Sequence, residues 1–338
     1  MNCSARVGHT LALLRRSNVR HFLSAWWWRQ LHFLAIATSR QQRSSWYRMT
    51  HVLLGTYACK PLMSIEHLHP FAGDHAIQSA IVVVEWGSPD GAGLIMAERM
   101  QALQDAALPQ LANLGLVNIE QIKVVEFQFG AGPAAAHPSQ ALGGFKVSRL
   151  SSPGVELRSL VMAREHCIIQ INDYSRWLQV KRDIQQYLNI ILPLVGRSAP
   201  VRHLSLQFND VFLWQAPSIQ LHLVEVFRSG SAWLPPHIFD LQNLWHSHHG
   251  YFADHIQPCV FRQLDNVNVS RAFIDGVESI QALVAHRASL DSPLWIKQPY
   301  PDAHEISIVL DKFHDDNKNI LAALFSDDVL QKIKLLPN

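Results

Sequence analysis

RHLSLQFNDVFLW, Arg202–Trp214, is the stretch on which the fold turns. Leu204, Leu206, Phe208, Phe212 and Trp214 fall on one side of an extended chain and His203, Ser205, Gln207 and Asn209 on the other, the period of two that a half-buried strand imposes. Asp210 interrupts the pattern in register with the apolar side. An unpaired carboxylate there costs several kcal/mol, so Asp210 is expected to be paired, hydrogen-bonded or at a rim. A strand of this kind buries its apolar side only inside a sheet that something covers.

Upstream, HAIQSAIVVVEWGS (His75–Ser88) is short, β-branched and closed by a Gly-Ser-Pro turn, which predicts a strand. Leu94, Ala97, Met100, Leu103 and Leu108 then recur near helical spacing, with Gly115 as the stop. IKVVEFQFG (Ile122–Gly130) alternates again, and AGPAAAHPSQALGG reads as a loop by composition. Short extended segments follow at Phe145–Leu150, Val155–Val161 and His166–Ile171, the first two joined by the turn Ser152–Gly154, so antiparallel pairing is expected. A second helix is predicted from NDYSRWLQVKRDIQQYLNIILP, capped by Asp173 or Ser175, striped by Trp177, Val180, Ile184, Leu188 and Ile191, and bounded by Pro193.

Beyond Trp214, a short helix is expected at Ile219–Phe227, an irregular stretch through SGSAWLPPHIFDLQNLWHSHHGYF, and strands at Pro258–Ser270 and Val277–His286. The last helix is expected from Asp302, with Asp302 and Glu305 spaced as a capping box before Ile306, Leu310 and Phe313. The resulting class is α+β: antiparallel sheet with helices packed on one face, with two similar α+β halves, 63–195 and 196–338, either distinct or merged into one continuous layer.

Charge is unevenly placed. Nine of the 29 basic residues lie within positions 1–60, where no acid occurs before Glu66; this leaves 20 basic against 27 acidic residues beyond, a body near −7 although the chain totals +2. A nucleic-acid footprint needs a basic face on the folded part, so no nucleic-acid partner is expected. The leader 1–62 is interrupted by arginines before any membrane span is reached. It is read as a start-site artefact with Met49 or Met63 as the first residue, or as a targeting segment, or as a membrane-surface helix around Trp26–Trp28. Four isolated cysteines fit a reducing compartment, and the expected location is cytoplasmic.

For chemistry, the strongest concentration is WHSHHG, Trp245–Gly250, flanked by His237, Asp240, Asp254 and His255. His246, His248, Asp240 and Asp254 offer nitrogen and oxygen ligands for zinc or another divalent metal, although His249 points opposite to His246 and His248 on a strand. Alternatively, His237, Asp240, Trp245, His246, His248 and His249 border a groove, with Asn266 and Asn268 of QLDNVNVS as further candidates. No GxSxG elbow and no phosphate-binding glycine loop occurs, and Cys167 reads as an inert core thiol. The pairs Asp315–Asp316 and Asp327–Asp328 read as solvated helix charges.

PFAGDHAIQSAIVVVEW from Pro70, INDYSRW from Ile171, LSLQFNDVF from Leu204, FRSGSAWLPPHIFDLQNLWHSHHGYF from Phe227, LDNVNVS from Leu264 and DKFHDDNKNILAALFSDD from Asp311 together resemble a sporadically distributed bacterial family of conserved hypothetical proteins. The resemblance spans about Pro70 to the C-terminus, implies a start near Met63 and includes the WHSHHG segment; it transfers no catalytic residue. The functional expectation is a non-enzymatic binding or scaffold module for a protein or small-molecule partner, with no cofactor. The alternative is a metal-dependent hydrolase built on the His-rich segment.

Overall fold

Arg202–Trp214 forms the middle of the molecule. In the computed structural model, which describes residues 64–87, 93–128, 137–216 and 220–335, it lies in β7 (Val201–Trp214) of a ten-stranded antiparallel sheet. The other strands are β1 (Leu68–Pro70), β2 (Ile77–Glu85), β3 (Asn118–Gln128), β4 (His137–Leu150), β5 (Glu156–Ala163), β6 (His166–Ile171), β8 (Trp245–His255), β9 (Phe261–Ile274) and β10 (Val277–Leu294). They lie in the order β3-β4-β5-β6-β2-β7-β10-β9-β8, with β1 paired to β7. The readings of residues 1–62 lie outside the described residues. Among the described residues, no helix is long and apolar enough to cross a membrane.

Helices cover one face. Leu204, Leu206 and Phe208 are buried together with Ala80, Val82 and Val84 of β2, Ile169 of β6 and Phe145 of β4. Above them lie α1 (Ala97–Asn113), which buries Met100, Leu103, Ala107 and Leu111, and α2 (Trp177–Val195), which buries Val180, Ile184, Leu188 and Ile191. A second core gathers Phe212 and Trp214 with Val267 and Val269 of β9 and Ile280, Ala282 and Val284 of β10. It is roofed by the one-turn α3 (Leu223–Val226), by the C-terminal half of α4 (Glu305–Leu324) and by α5 (Asp327–Lys332). β7 and α4 contribute to both cores, so the two cores share one sheet and one roof.

The opposite face carries the polar phase, Gln207 and Asn209 with Ile81, Val83 and Gln170, all half-buried. Arg287 of β10 reaches over Ser205 of β7 to Glu85 of β2, with nitrogen–oxygen distances of 3.1 and 3.0 Å. His203 Nδ1 lies 3.1 Å from Ser289 Oγ. Burial, followed by the Arg287 charge, lowers the His203 imidazole to about 4.

Several boundaries differ from the sequence expectation because tertiary pairing overrode local signals. The loop after β3 is shorter than composition suggests, since β4 pairs with β3 from His137 onward. Gly144 is required there: a Cβ would lie 2.1 Å from the Met162 carbonyl oxygen of β5. Leu94 precedes α1 and is exposed. Neither Asp173 nor Ser175 caps α2, whose N-cap is Arg176; Asp173 instead accepts from Arg149 and, at 2.7 Å, from Arg158. Pro193 lies inside the last turn of α2, and the helix expected over Ile219–Phe227 is a single turn. The stretch read as irregular contains β8, and β10 runs eight residues beyond His286. α4 starts at Glu305 without the Asp302 capping box: His304 Nδ1 accepts from the Ile306 N–H at 3.3 Å.

α2 and α4 are clamped at Asp311, which accepts from Trp177 Nε1 at 2.8 Å and from Lys181 Nζ at 2.5 Å. The Trp177 ring stacks on His314, with centroids 4.7 Å apart. Trp177→Phe keeps the stack and Lys181 but removes one hydrogen bond. It is expected to lower stability by about 1 kcal/mol in urea unfolding at unchanged m-value. No change would show that the indole bond contributes nothing.

Candidate functional site

β8 and β9 settle the orientation of the His-rich segment. Trp245 packs in the core against Phe227, and Val267 and Val269 are fully buried, so the odd-numbered residues of both strands point beneath the helices. Trp245, Ser247, His249 and Tyr251 therefore share one side of β8, and His246, His248, Gly250 and Phe252 the other. Toward the C-terminal end of β8 the odd positions turn polar, where Tyr251 pairs with Asp265 and Ala253 with Gln263. α4 presents Lys312, Asp316, Asn319, Ile320 and Ala323 above them, one face of a helix.

Between these elements lies a cleft of ≈ 310 Å³ lined by both sets and by Trp233 and His255. The Trp233 and Tyr251 rings form one aromatic wall, with centroids 5.7 Å apart and planes tilted by 31°. The floor is a buried polar network. Gln263 Nε2 donates to Asp265 at 2.8 and 3.0 Å and to Asp316 Oδ2 at 2.8 Å; Asp316 Oδ2 also accepts from Lys312 Nζ at 2.7 Å. His286 Nδ1 donates to Asp265 Oδ1 at 2.5 Å, and the Tyr251 hydroxyl donates to Asp265 as well.

Burial opposes ionisation of Asp265, but the hydrogen bonds from His286, Gln263 and Tyr251 outweigh it and hold the carboxyl below its ordinary value. Burial, then the Asp265 charge, pushes the Tyr251 phenol up. Burial, reinforced by the Lys312 charge, lowers the His255 imidazole. With carboxylates on both sides of Gln263, its amide must turn Nε2 toward them. Gln263 Oε1, His255 Nε2 and His286 Nε2 are buried without hydrogen-bond partners. His286 is fully buried, stacks on Phe313 and does not line the cleft, so it positions Asp265 from behind.

The candidate residues read from the sequence are dispersed. His246 and His248 are exposed on the uncovered face; His248 Nε2 lies 3.5 Å from Asn266 Oδ1, and Asn268 pairs with His248 in register. Asn266 and Asn268 thus face away from the cleft. Trp245 is a core residue, while His249 lies on the cleft side, bonded to Ser247 Oγ at 2.9 Å with its ring against Trp233. His237 and Asp240 are exposed on the 3-10 turn Pro236–Asp240.

The four metal candidates are not brought together. Asp254 lies six residues beyond His248, about 20 Å along a strand, and pairs with Arg262 at 2.8 Å. Among the described residues, no group of three or more His, Cys, Asp or Glu side chains is arranged to hold one ion. Asp316, read as a solvated charge, is instead built into the cleft floor. Cys167 is buried, and burial pushes its thiol up.

The sequence reading missed Trp233, Tyr251, Gln263, Asp265 and Lys312 as cleft residues. The available signal was phase: Gln263 and Asp265 are polar residues in register with Phe261, Val267 and Val269. No protein-family model matches the chain, and no curated protein does. The chemistry therefore rests on the geometry of the cleft.

Proposed function

We propose that the protein is a non-enzymatic binding module whose cleft between β8, β9 and α4 takes a small molecule or a side chain of a protein partner. The observation that carries this reading is Gln263: a cleft-lining side chain locked between Asp265 and Asp316, with its buried Oε1 left without a hydrogen-bond partner. Walls held by such a network are organised before any ligand arrives, which limits the ordering cost of binding. The Asp265–His286 pair supports this role rather than proton transfer, because its imidazole is sealed beneath the floor.

The reading is tested by ligand-observed NMR with a library of small polar fragments. Ala323 is exposed at the rim, so Ala323→Trp fills the opening without disturbing the core. Fragments that bind the parent protein are expected to lose their signals with Ala323→Trp and with Trp233→Ala. Identical binding to the filled variant would overturn the assignment of the cleft.

A further inference from the structure

We infer that the cleft accepts a cationic head, an ammonium or guanidinium group, between the Trp233–Tyr251 wall and the Asp265–Gln263–Asp316 floor. This rests on the cleft being a binding site and adds the chemistry of its ligand. The floor sets two carboxylates against the single ammonium of Lys312. Gln263, Tyr251 and Lys312 already direct donors at those carboxylates, so an incoming anion would meet mainly acceptors.

What Gln263 has left is an acceptor. Its Nε2 is committed to the two carboxylates and its Oε1 is buried and unpartnered, so the amide has no free donor to offer an anion. The site already holds one cation of this chemistry, since Lys312 Nζ sits 2.7 Å from Asp316 Oδ2. Trp233 and Tyr251 both line the cleft, and an aromatic ring attracts a cation through its quadrupole. The excess of 27 acidic over 20 basic residues beyond position 60 draws cations toward this part of the chain.

The test follows the Trp233 indole resonance, assigned with Trp233→Phe, during titration with n-butylammonium, n-butylguanidinium, a lysine tripeptide blocked at both ends, butyrate and methyl glucoside. Saturable shifts are expected with the cations only. Asp316→Asn is expected to weaken them about tenfold, and Trp233→Ala, read from the Tyr251 ring signals, by a similar factor. Lys312→Met is expected to tighten them severalfold, because it removes the competing internal ammonium; a lysine that only supports the fold would produce no such gain. Binding of the tripeptide beside the small amines assigns the head to a partner protein, and its exclusion assigns it to a free small molecule. Butyrate or glucoside binding as well as the amines, with loss in Ala323→Trp, overturns the cationic assignment while the cleft stands. No shift with any probe overturns both readings.

Discussion

Asp210→Asn protein is expected to resist urea better than the parent at about pH 8 and to lose most of that advantage at about pH 4, because its gain is the removal of a buried ionisation. Asp210 is 1 % exposed, flanked on its own strand by Phe208 and Phe212 and paired across the sheet with Ile77 and Ala282. Its Oδ2 is buried without a hydrogen-bond partner, so that oxygen does not make the pairing or hydrogen bond expected on this side of β7. Burial raises its pKa from 3.8 to about 7 instead. A buried acid without a partner becomes neutral by keeping its proton.

The sign follows from proton binding. Between the unfolded and folded values the native protein holds the proton and the unfolded chain does not, so stability falls as pH rises through that window. The rise from 3.8 to about 7 corresponds to roughly 4 kcal/mol lost between acid and neutral pH. Asparagine must place two N–H groups in the same site, but that cost is the same at both pH values. The difference between the two stability curves therefore isolates the carboxyl. Parallel curves for parent and Asp210→Asn across the range would sink this account.

Asp265→Ala is expected to destabilise the protein by about 3–5 kcal/mol, the cost of stranding the buried partners of a removed charge. His286 would lose its carboxylate and Gln263 one of its two, and His286 is fully buried, away from any water that could replace it. Asp265→Leu combined with His286→Phe is expected to recover much of the loss, since the phenyl ring that replaces the imidazole would still meet Phe313 and no buried ion remains. The pH signature is opposite to that of Asp210. A carboxyl held below its ordinary value contributes stability that is present above the unfolded pKa and lost as pH falls through the folded one. Urea unfolding of Asp265→Leu, His286→Phe and the double decides the matter: additive losses would show that Asp265 and His286 are not coupled.

Much of the architecture was legible in the chain because periodicity is local. The alternation of Leu204, Leu206 and Phe208 and the stripe from Val180 to Ile191 each name a buried side, and the two sides meet in one core. The Ser152–Gly154 turn was readable for the same reason, with Gly154 at φ 102°. So, in principle, was the hairpin at Asp275–Gly276, where φ values of 49° and 82° fit the preference of Asp-Gly for a two-residue turn. Strand ends and the α2 cap were not legible, since Arg149 and Arg158 compete for Asp173 from strands that only the fold brings near.

The site divides along the same line. The histidine cluster drew attention through composition, yet its phase on β8 is set by Trp245, Val267 and Val269, and this turns His246 and His248 away from the cleft. Sequence alone determined that strands with one greasy side would pair antiparallel under helices, since each segment carries that instruction within itself. It also marked Asp210 as an acid on a buried phase; Asp265 shares the phase of Val267 and Val269, and by local pattern the two acids are alike. Tertiary structure made them different: Asp265 meets Gln263, Tyr251 and His286 and stays ionised, whereas Asp210 lies among apolar neighbours with one oxygen unpaired and is driven toward its protonated form. Hydrogen-bond partners on neighbouring strands, such as His286 of β10, decide an acid's charge, and only the folded arrangement brings them within reach.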